Sequence, residues 1–310
     1  MMNHYFETQN KSEMISLQAA QRELYSQVKR YLSCSFVFGV LIPTMLSVVY
    51  LVLSFFPDYT FSGLKTFVTF YGFIMLFINT VLLDYIGSVK KVAARIQEEF
   101  DTQLYDMEWN DVVAGKRPGP HDWLEPATRH LQKNGSHRLT DWYLNNPINL
   151  PSPVMTLLCQ SKNLGWDARL KKYISNLLSV IIVANGIVLL ALAILTNPSV
   201  VNFFSLVALL APVYHFYYRY VSENKKSVAR ADELRLKVES ELDKISEIGH
   251  FDESYLRKLA RNIQDQIFSY RFSGNPVPDR IHRHNRARDE ERYDRIFNLY
   301  AEKLKSRLSV

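Results

Sequence analysis

Four long stretches almost free of charge set the limits on what this chain can fold into. Tyr31 to Phe56 contains no charged residue, and neither does Tyr173 to Leu195. Phe61 to Leu83 carries only Lys65, near its outer end, and Ser199 to Tyr218 carries only His215 as a titratable cation. A helix needs roughly 20 mostly apolar residues to cross a bilayer's hydrocarbon core. Lipid offers the backbone no hydrogen bonds, so such segments must satisfy their own as helices. A soluble core would interleave apolar and polar residues at helical or strand spacing instead. The stretches therefore read as spans of about 31–56, 61–83, 173–195 and 199–218. Pro57-Asp58-Tyr59-Thr60 and Thr196-Asn197-Pro198 are the turns that pair them into two hairpins. Pro43 and Pro212 are tolerable inside such helices, and Lys65 is near enough to a span end to snorkel. Tyr31, Phe55, Phe56, Tyr59, Tyr173, Tyr217 and Tyr218 supply the aromatic belt expected at headgroup level.

Basic residues beside the spans fix an expected orientation. Lys29 and Arg30 precede the first span, and Lys90, Lys91 and Arg95 follow the second. Arg169, Lys171 and Lys172 precede the third; Arg219, Lys225, Lys226 and Arg230 follow the fourth. The hairpin turns carry little that is basic beyond Lys65. Both termini and the central loop are thus expected in the cytoplasm. The predicted organisation is a cytoplasmic amphipathic helix over 1–30, hairpin one over 31–83, a cytoplasmic loop domain over 84–172, hairpin two over 173–218, and a cytoplasmic helical region over 219–310. The first apolar block follows a charged segment and is too long for a signal-peptide core, so a retained span is expected rather than a cleaved leader.

The polar segments keep helical periodicity. Met14, Leu17, Gln21, Leu24 and Val28 mark a helix leading into span one, with Ser12 as its expected N-cap. Val89, Val92, Ala93, Ile96, Phe100 and Leu104 extend span two as a stalk. Ala231, Leu234, Val238, Leu242, Ile245 and Ile248 extend span four in the same way. Leu256, Leu259, Ile263 and Ile267 define a further helix, and Tyr293, Ile296, Phe297, Tyr300, Leu304 and Leu308 a last one. Ser273-Gly274-Asn275-Pro276 breaks the chain between them. Between 105 and 153, Pro118, Pro120, Pro126, Pro147, Pro151 and Pro153 are expected to interrupt any long helix. The fold class is an all-α membrane protein: two transmembrane hairpins whose stalks extend into a helical cytoplasmic domain.

No catalytic signature is visible. The chain has no Gly-rich phosphate loop, no GxSxG elbow and no HExxH. Cys34 and Cys159 form neither a disulfide framework nor a metal spacing, and His282 and His284 have no Cys or carboxylate partner to complete a metal site. No enzyme activity, metal or cofactor is expected. All four tryptophans fall in the central loop beside charges, which reads as a packed small domain or a binding surface. Arg280, Arg283 and Arg286 are neighbours on a helix and suit an anion, although anionic lipid or pairing with Asp289, Glu290 and Glu291 would account for them too. Inside the spans, Asn79, Asn185 and His215 are candidates for a pore lining or for helix–helix hydrogen bonds.

Several motifs resemble the SMODS-associated four-transmembrane effector family of bacteria. They are Leu17–Arg30, Ala93–Asp101, Met107–Asn110, Leu139–Tyr143, Cys159–Arg169, Asn262–Phe268 with nearby Arg271, and Pro276–Pro278. They run along nearly the whole chain, in order around the same spans. The resemblance implies an anti-phage effector in the bacterial inner membrane. Its partner is a cyclic oligonucleotide second messenger made by a nucleotidyltransferase, with no DNA or RNA polymer involved. It implies a homo-oligomer that permeabilises the membrane and stops growth. Guanidinium and ammonium groups would hold the phosphates while aromatics stack on the bases. The candidates for that task are Trp142, Tyr143, Arg169, Lys172, Arg271, Arg280, Arg283 and Arg286. A constitutive channel or transporter subunit, or a structural anchor recruiting partners, are the rival readings. The sparse intramembrane polarity argues against a coupled transporter.

Overall fold

The computed structural model describes residues 4–53, 55–56, 62–136, 139–197 and 199–308, without the side chains of Ser62, Leu64, Lys65, Asp167, Arg280, residues 282–287, Asp289 and Glu290. The first hairpin turn at Pro57–Thr60, and Pro198 of the second, therefore lie outside the described residues. Among the described residues ten α-helices follow one another. They are α1 (His4–Gln9), α2 (Ser12–Phe36), α3 (Ile42–Leu53), α4 (Ser62–Tyr105), α5 (Asp111–Ala114), α6 (Pro120–Asn134), α7 (Ser152–Thr196), α8 (Val200–Ile248), α9 (Glu253–Ser273) and α10 (Asp279–Leu308). Among the described residues there is no strand. The protein is all-α, and four helical stretches are long and apolar enough to cross a membrane.

Helices α4, α7 and α8 contain 44, 45 and 49 residues. At 1.5 Å per residue each is roughly 66–74 Å long, about twice the hydrocarbon thickness. In α4 and α8 the excess is the stalks that the apolar stripes foretold; in α7 it is a further stalk before Tyr173 that no stripe had marked. The lipid-facing surface is unmistakable: Phe70, Phe77, Val180, Ile187, Ile194, Val200 and Phe204 are each more than half exposed. A soluble protein does not leave that much contiguous apolar surface in water.

Span one is not a uniform helix. Val37–Leu41 forms a wide π-helical turn between α2 and α3. Pro43 explains it: proline has no N–H to give, and its ring crowds the carbonyl four residues back. Tyr71 on α4 donates its hydroxyl to the Phe38 carbonyl (2.8 Å), and Ser47 donates to the Pro43 carbonyl (2.7 Å). The second hairpin closes on Asn197, whose left-handed backbone (φ 42°) lets its N–H reach the Ala193 carbonyl. Two close approaches hold the spans together. A Cβ on Gly72 would stand 2.2 Å from the Ala208 carbonyl oxygen, and one on Gly39 would meet the Asn79 amide. Small residues at such crossings replace the hydrophobic driving force that lipid cannot supply.

Outside the membrane, one apolar core joins α2, α4, α7, α8, α9 and α10 around Met14, Leu17, Phe100, Leu104, Val238, Ile263 and Leu304. α6 lies against α2 and α1 against α4. Tyr5 of α1 hydrogen-bonds Thr156 of α7 (2.8 Å), and Gln9 donates to the Leu144 carbonyl (2.7 Å). Three local expectations differ. Lys11 rather than Ser12 is the N-cap of α2, with no side-chain cap, because the short α1 turns directly into it. Pro126 lies inside α6 rather than ending it, since α6 loses a single bond and Pro126 is buried. Ile248 is exposed, because α8 ends there at Gly249 in the left-handed conformation. Both cysteines are free thiols; Cys34 is exposed, while burial pushes the Cys159 thiol up to about 12.

Candidate functional site

Two polar assemblies stand out against this apolar framework. The first is buried. Glu98 and Asp101 are one turn apart on α4, and Gln264 and Arg271 are two turns apart on α9, so each pair shares a helix face. Arg271 contacts Asp101 at 2.6 Å, with side chains only 4 % and 1 % exposed. Gln264 donates to both Glu98 (2.8 Å) and Asp101 (3.0 Å), and Arg261 holds Glu98 at 2.7 Å. Tyr143 donates its hydroxyl to Asp101 (2.9 Å) and accepts from Asn163 of α7 (3.0 Å). Gln160 of α7 donates to Gln264 (3.1 Å). Burial works to lower the Arg271 pKa, but Asp101 first, then Tyr143 and Glu98, hold it raised. Burial raises Glu98, and burial with Asp101 nearby raises Tyr143 well above the phenolic range. The network is a fixed ion cluster tying stalk α4 to α9 and α7.

The second assembly is open. A cleft of about 320 Å³ lies between α7, α8 and α10. Lys162, Arg169, Lys172, Arg235 and Arg292 face it against only Asp232 and Glu239, so its walls are net cationic. Tyr293, Phe297 and Tyr300 supply aromatic surface. Gly165 makes the close fit possible: a Cβ there would stand 2.5 Å from the Tyr293 ring, and the Tyr293 hydroxyl donates to the Gly165 carbonyl at 2.7 Å. Trp166 stacks beside Tyr293, with centroids 6.3 Å apart at 27°. Arg235 is fixed by Glu239 (2.9 Å), and Lys162 by Asp294 (2.6 Å) and the Tyr143 carbonyl (2.9 Å). Burial and the nearby Asp243 carboxylate push the Tyr300 phenol up to about 12, so it is a neutral donor. Lys172 and Arg292 are exposed, and neither has an ion-pair partner among the described residues. Flexible cations, a rigid guanidinium and stacked aromatic rings together suit a ligand with phosphates and flat bases.

The candidate residues divide between these places. Arg169 and Lys172 line the cleft. Tyr143 and Arg271 meet in the buried cluster, committed to Asp101. Trp142 is half-buried, with the Arg22 guanidinium 4.9 Å above its ring. Arg280, Arg283 and Arg286 fall on the first turns of α10, but their side chains lie outside the description. Within the spans, Asn79 is fully buried and accepts from Ser35 (2.8 Å), while Asn185 and His215 are half-buried on α7 and α8. Sequence reasoning missed Lys162, Arg235, Arg292 and Tyr293 as cleft residues. Tyr293 and Tyr300 did stand in the last apolar stripe, where a hydroxyl on two of six stripe positions was the available signal.

The profile of the SMODS-associating 4TM effector domain matches residues 3–298. The chain belongs to that family. Within it, the chain is similar to a probable CBASS effector molecule of Bacillus cereus (strain VD146), 26 % identical over 298 residues that cover 94 % of this chain and 96 % of that one. No solved structure matches. For a 4TM effector, the segments that carried the resemblance are telling: Ala93–Asp101, Leu139–Tyr143, Cys159–Arg169 and Asn262–Phe268 with nearby Arg271 supply the buried cluster and the α7 wall of the cleft.

Proposed function

We propose that this 4TM effector acts in CBASS anti-phage defence, binding a cyclic oligonucleotide in the α7–α8–α10 cleft and answering by permeabilising the membrane that holds it. The family and the B. cereus relative support the defence role. The observation that carries the ligand class is that Lys172 and Arg292, without an ion-pair partner among the described residues, line the cleft with Tyr293, on which Trp166 stacks. Phosphate oxygens accept from the cations, and a base packs along Tyr293. The span and domain limits read from the sequence stand as part of this proposal. So do the inner-membrane location, the cytoplasmic placement of both termini and the central loop, and assembly of several copies. Four helices from one chain enclose no evident water path, so conduction requires copies to associate around it. The chemistry is binding and rearrangement rather than catalysis. Tyr143 and Arg271 belong to the stalk contacts that carry the movement, and Arg169 and Lys172 to the ligand; Trp142, Arg280, Arg283 and Arg286 complete the ligand candidates, and Asn79, Asn185 and His215 the intramembrane ones.

Purified protein in dye-loaded vesicles tests this with cyclic di-AMP, cyclic di-GMP, cyclic GMP–AMP and cyclic tri-AMP. One of them triggers leakage, and Arg292→Ala or Lys172→Ala weakens the response about 10-fold or more while the protein still folds. Binding unchanged by both substitutions places the ligand elsewhere, and no binding across the panel defeats the proposal.

A further inference from the structure

The connection from α9 to α10, with the first residue of α10, touches α2, α4, α7 and α8 near the cytoplasmic ends of their predicted spans. A Cβ on Gly274 would stand 2.5 Å from Lys171 Nζ of α7 and 2.6 Å from Ser227 Oγ of α8, so a larger residue would have to push both side chains aside. Asn275 is buried and makes three polar contacts there. Its N–H donates to Asn224 Oδ1 (2.8 Å), its Nδ2 to Glu223 (3.1 Å), and its Oδ1 accepts from Lys90 Nζ of α4 (3.0 Å). The Pro276 carbonyl accepts from Tyr220 of α8 (3.4 Å), and Val277 is buried in the apolar cluster that continues into the spans. Asp279, which opens α10, pairs with Lys29 of α2. Lys29 and Lys171 each precede a predicted span by two residues, Tyr220 follows one by two, and Lys90 follows one by seven.

We infer that Gly274–Asp279 is a collar that holds the four spans closed and that α10 loosens it when ligand occupies the cleft. The inference rests on the reading of the cleft given above. Arg292 and Tyr293 sit on the helix that begins at Asp279, about 20 Å along a rigid rod from the collar. A shift of α10 that seats a ligand is therefore delivered to the collar rather than absorbed. The collar has two states rather than a continuum. Withdrawing Asn275 takes the amide acceptor from buried Lys90, leaving it Glu223 at 3.7 Å, and the backbone donor from buried Asn224, and that cost makes a partly withdrawn collar unfavourable. Sub-ångström seating of the cleft is thereby converted into release or retention of all four stalks.

The test uses the full chain in dye-loaded vesicles of phosphatidylethanolamine and phosphatidylglycerol. Asn275→Ala removes the two side-chain ties, to Glu223 and Lys90, and is expected to raise leakage without any ligand by at least about 5-fold over the parent. Asp279→Asn, at an exposed partner, is a milder variant expected to shift leakage the same way should Asn275→Ala not fold. Lys29→Cys with Asp279→Cys, in a Cys34→Ser background, is bridged with a short bismaleimide. The bridged protein is expected to bind whichever of the four cyclic nucleotides triggers the parent within about 2-fold of the unbridged one yet lose about 10-fold of its leakage. Vesicles of Asn275→Ala and Asp279→Asn as tight as the parent, or bridged protein that leaks like the unbridged, overturn the collar. If none of cyclic di-AMP, cyclic di-GMP, cyclic GMP–AMP or cyclic tri-AMP acts on the parent, the cleft reading fails by itself. The ligand-free comparison of variants with parent then decides the collar alone.

Discussion

Arg271 is the residue whose replacement most sharply separates a structural role from a ligand-binding one. Arg271→Met keeps the volume and apolar stem but leaves Asp101, 1 % exposed, without its cation. Asp101 retains neutral donors from Tyr143 and Gln264, while Glu98 retains Arg261. Breaking a buried pair by removing one partner costs about 3–5 kcal/mol, because the remaining charge stays in a low-dielectric site. For a protein of this size that lowers the melting temperature by roughly 5–8 °C. Differential scanning fluorimetry in detergent reads the loss directly. Asp101→Asn in the same chain removes the stranded charge and should restore at least about 2 kcal/mol, a coupling that distant residues do not show. The reasoning is refuted if Arg271→Met melts within about 1 kcal/mol of the parent while losing nucleotide binding. That outcome would put Arg271 on the ligand.

Other consequences are as direct. Burial, opposed by Glu223 and reinforced by Lys171, brings the Lys90 ammonium down to about 8. Between pH 8 and the ordinary lysine value the unfolded chain holds a proton that the folded chain has released, so stability climbs with pH through that window, by about 3 kcal/mol at most. Melting curves from pH 7.5 to 10 should rise for the parent and stay flat for Lys90→Met. Gly72→Ala places a methyl where the Ala208 carbonyl stands 2.2 Å away, which forces α4 from α8 at a cost of about 1–3 kcal/mol. A melting temperature equal to the parent's means the helices do not cross there.

The spans were legible because a membrane is a uniform solvent: an uncharged run long enough to cross it has few other uses. The stalks were legible for a related reason, since Val92, Ile96, Phe100 and Leu104 repeat on one face whatever they pack against. Periodicity names a buried face but not its partner, and the site depends on partners. Tyr293 looks like a core residue in the stripe of α10. Only the missing side chain at Gly165, in another helix, turns it into a cleft wall.

The buried cluster was half-written in the sequence all the same. Glu98 and Asp101 flank the apolar stripe of α4 at a spacing of three, and Gln264 and Arg271 flank that of α9 at a spacing of seven. A carboxylate pair at the edge of one apolar face is expensive unless a cation stands at the edge of the face it meets. Arg271 is the residue on α9 that meets that need from within the core, while Arg261 serves Glu98 from its rim. Basic residues that flank an apolar stripe opposite such a pair are thus committed to the fold. Those left over on the open side, such as Lys172 and Arg292, are the ones free to hold an anion. Sorting the arginines by that criterion, rather than by clustering along the chain, would have separated Arg271 from Arg292 before any coordinates existed.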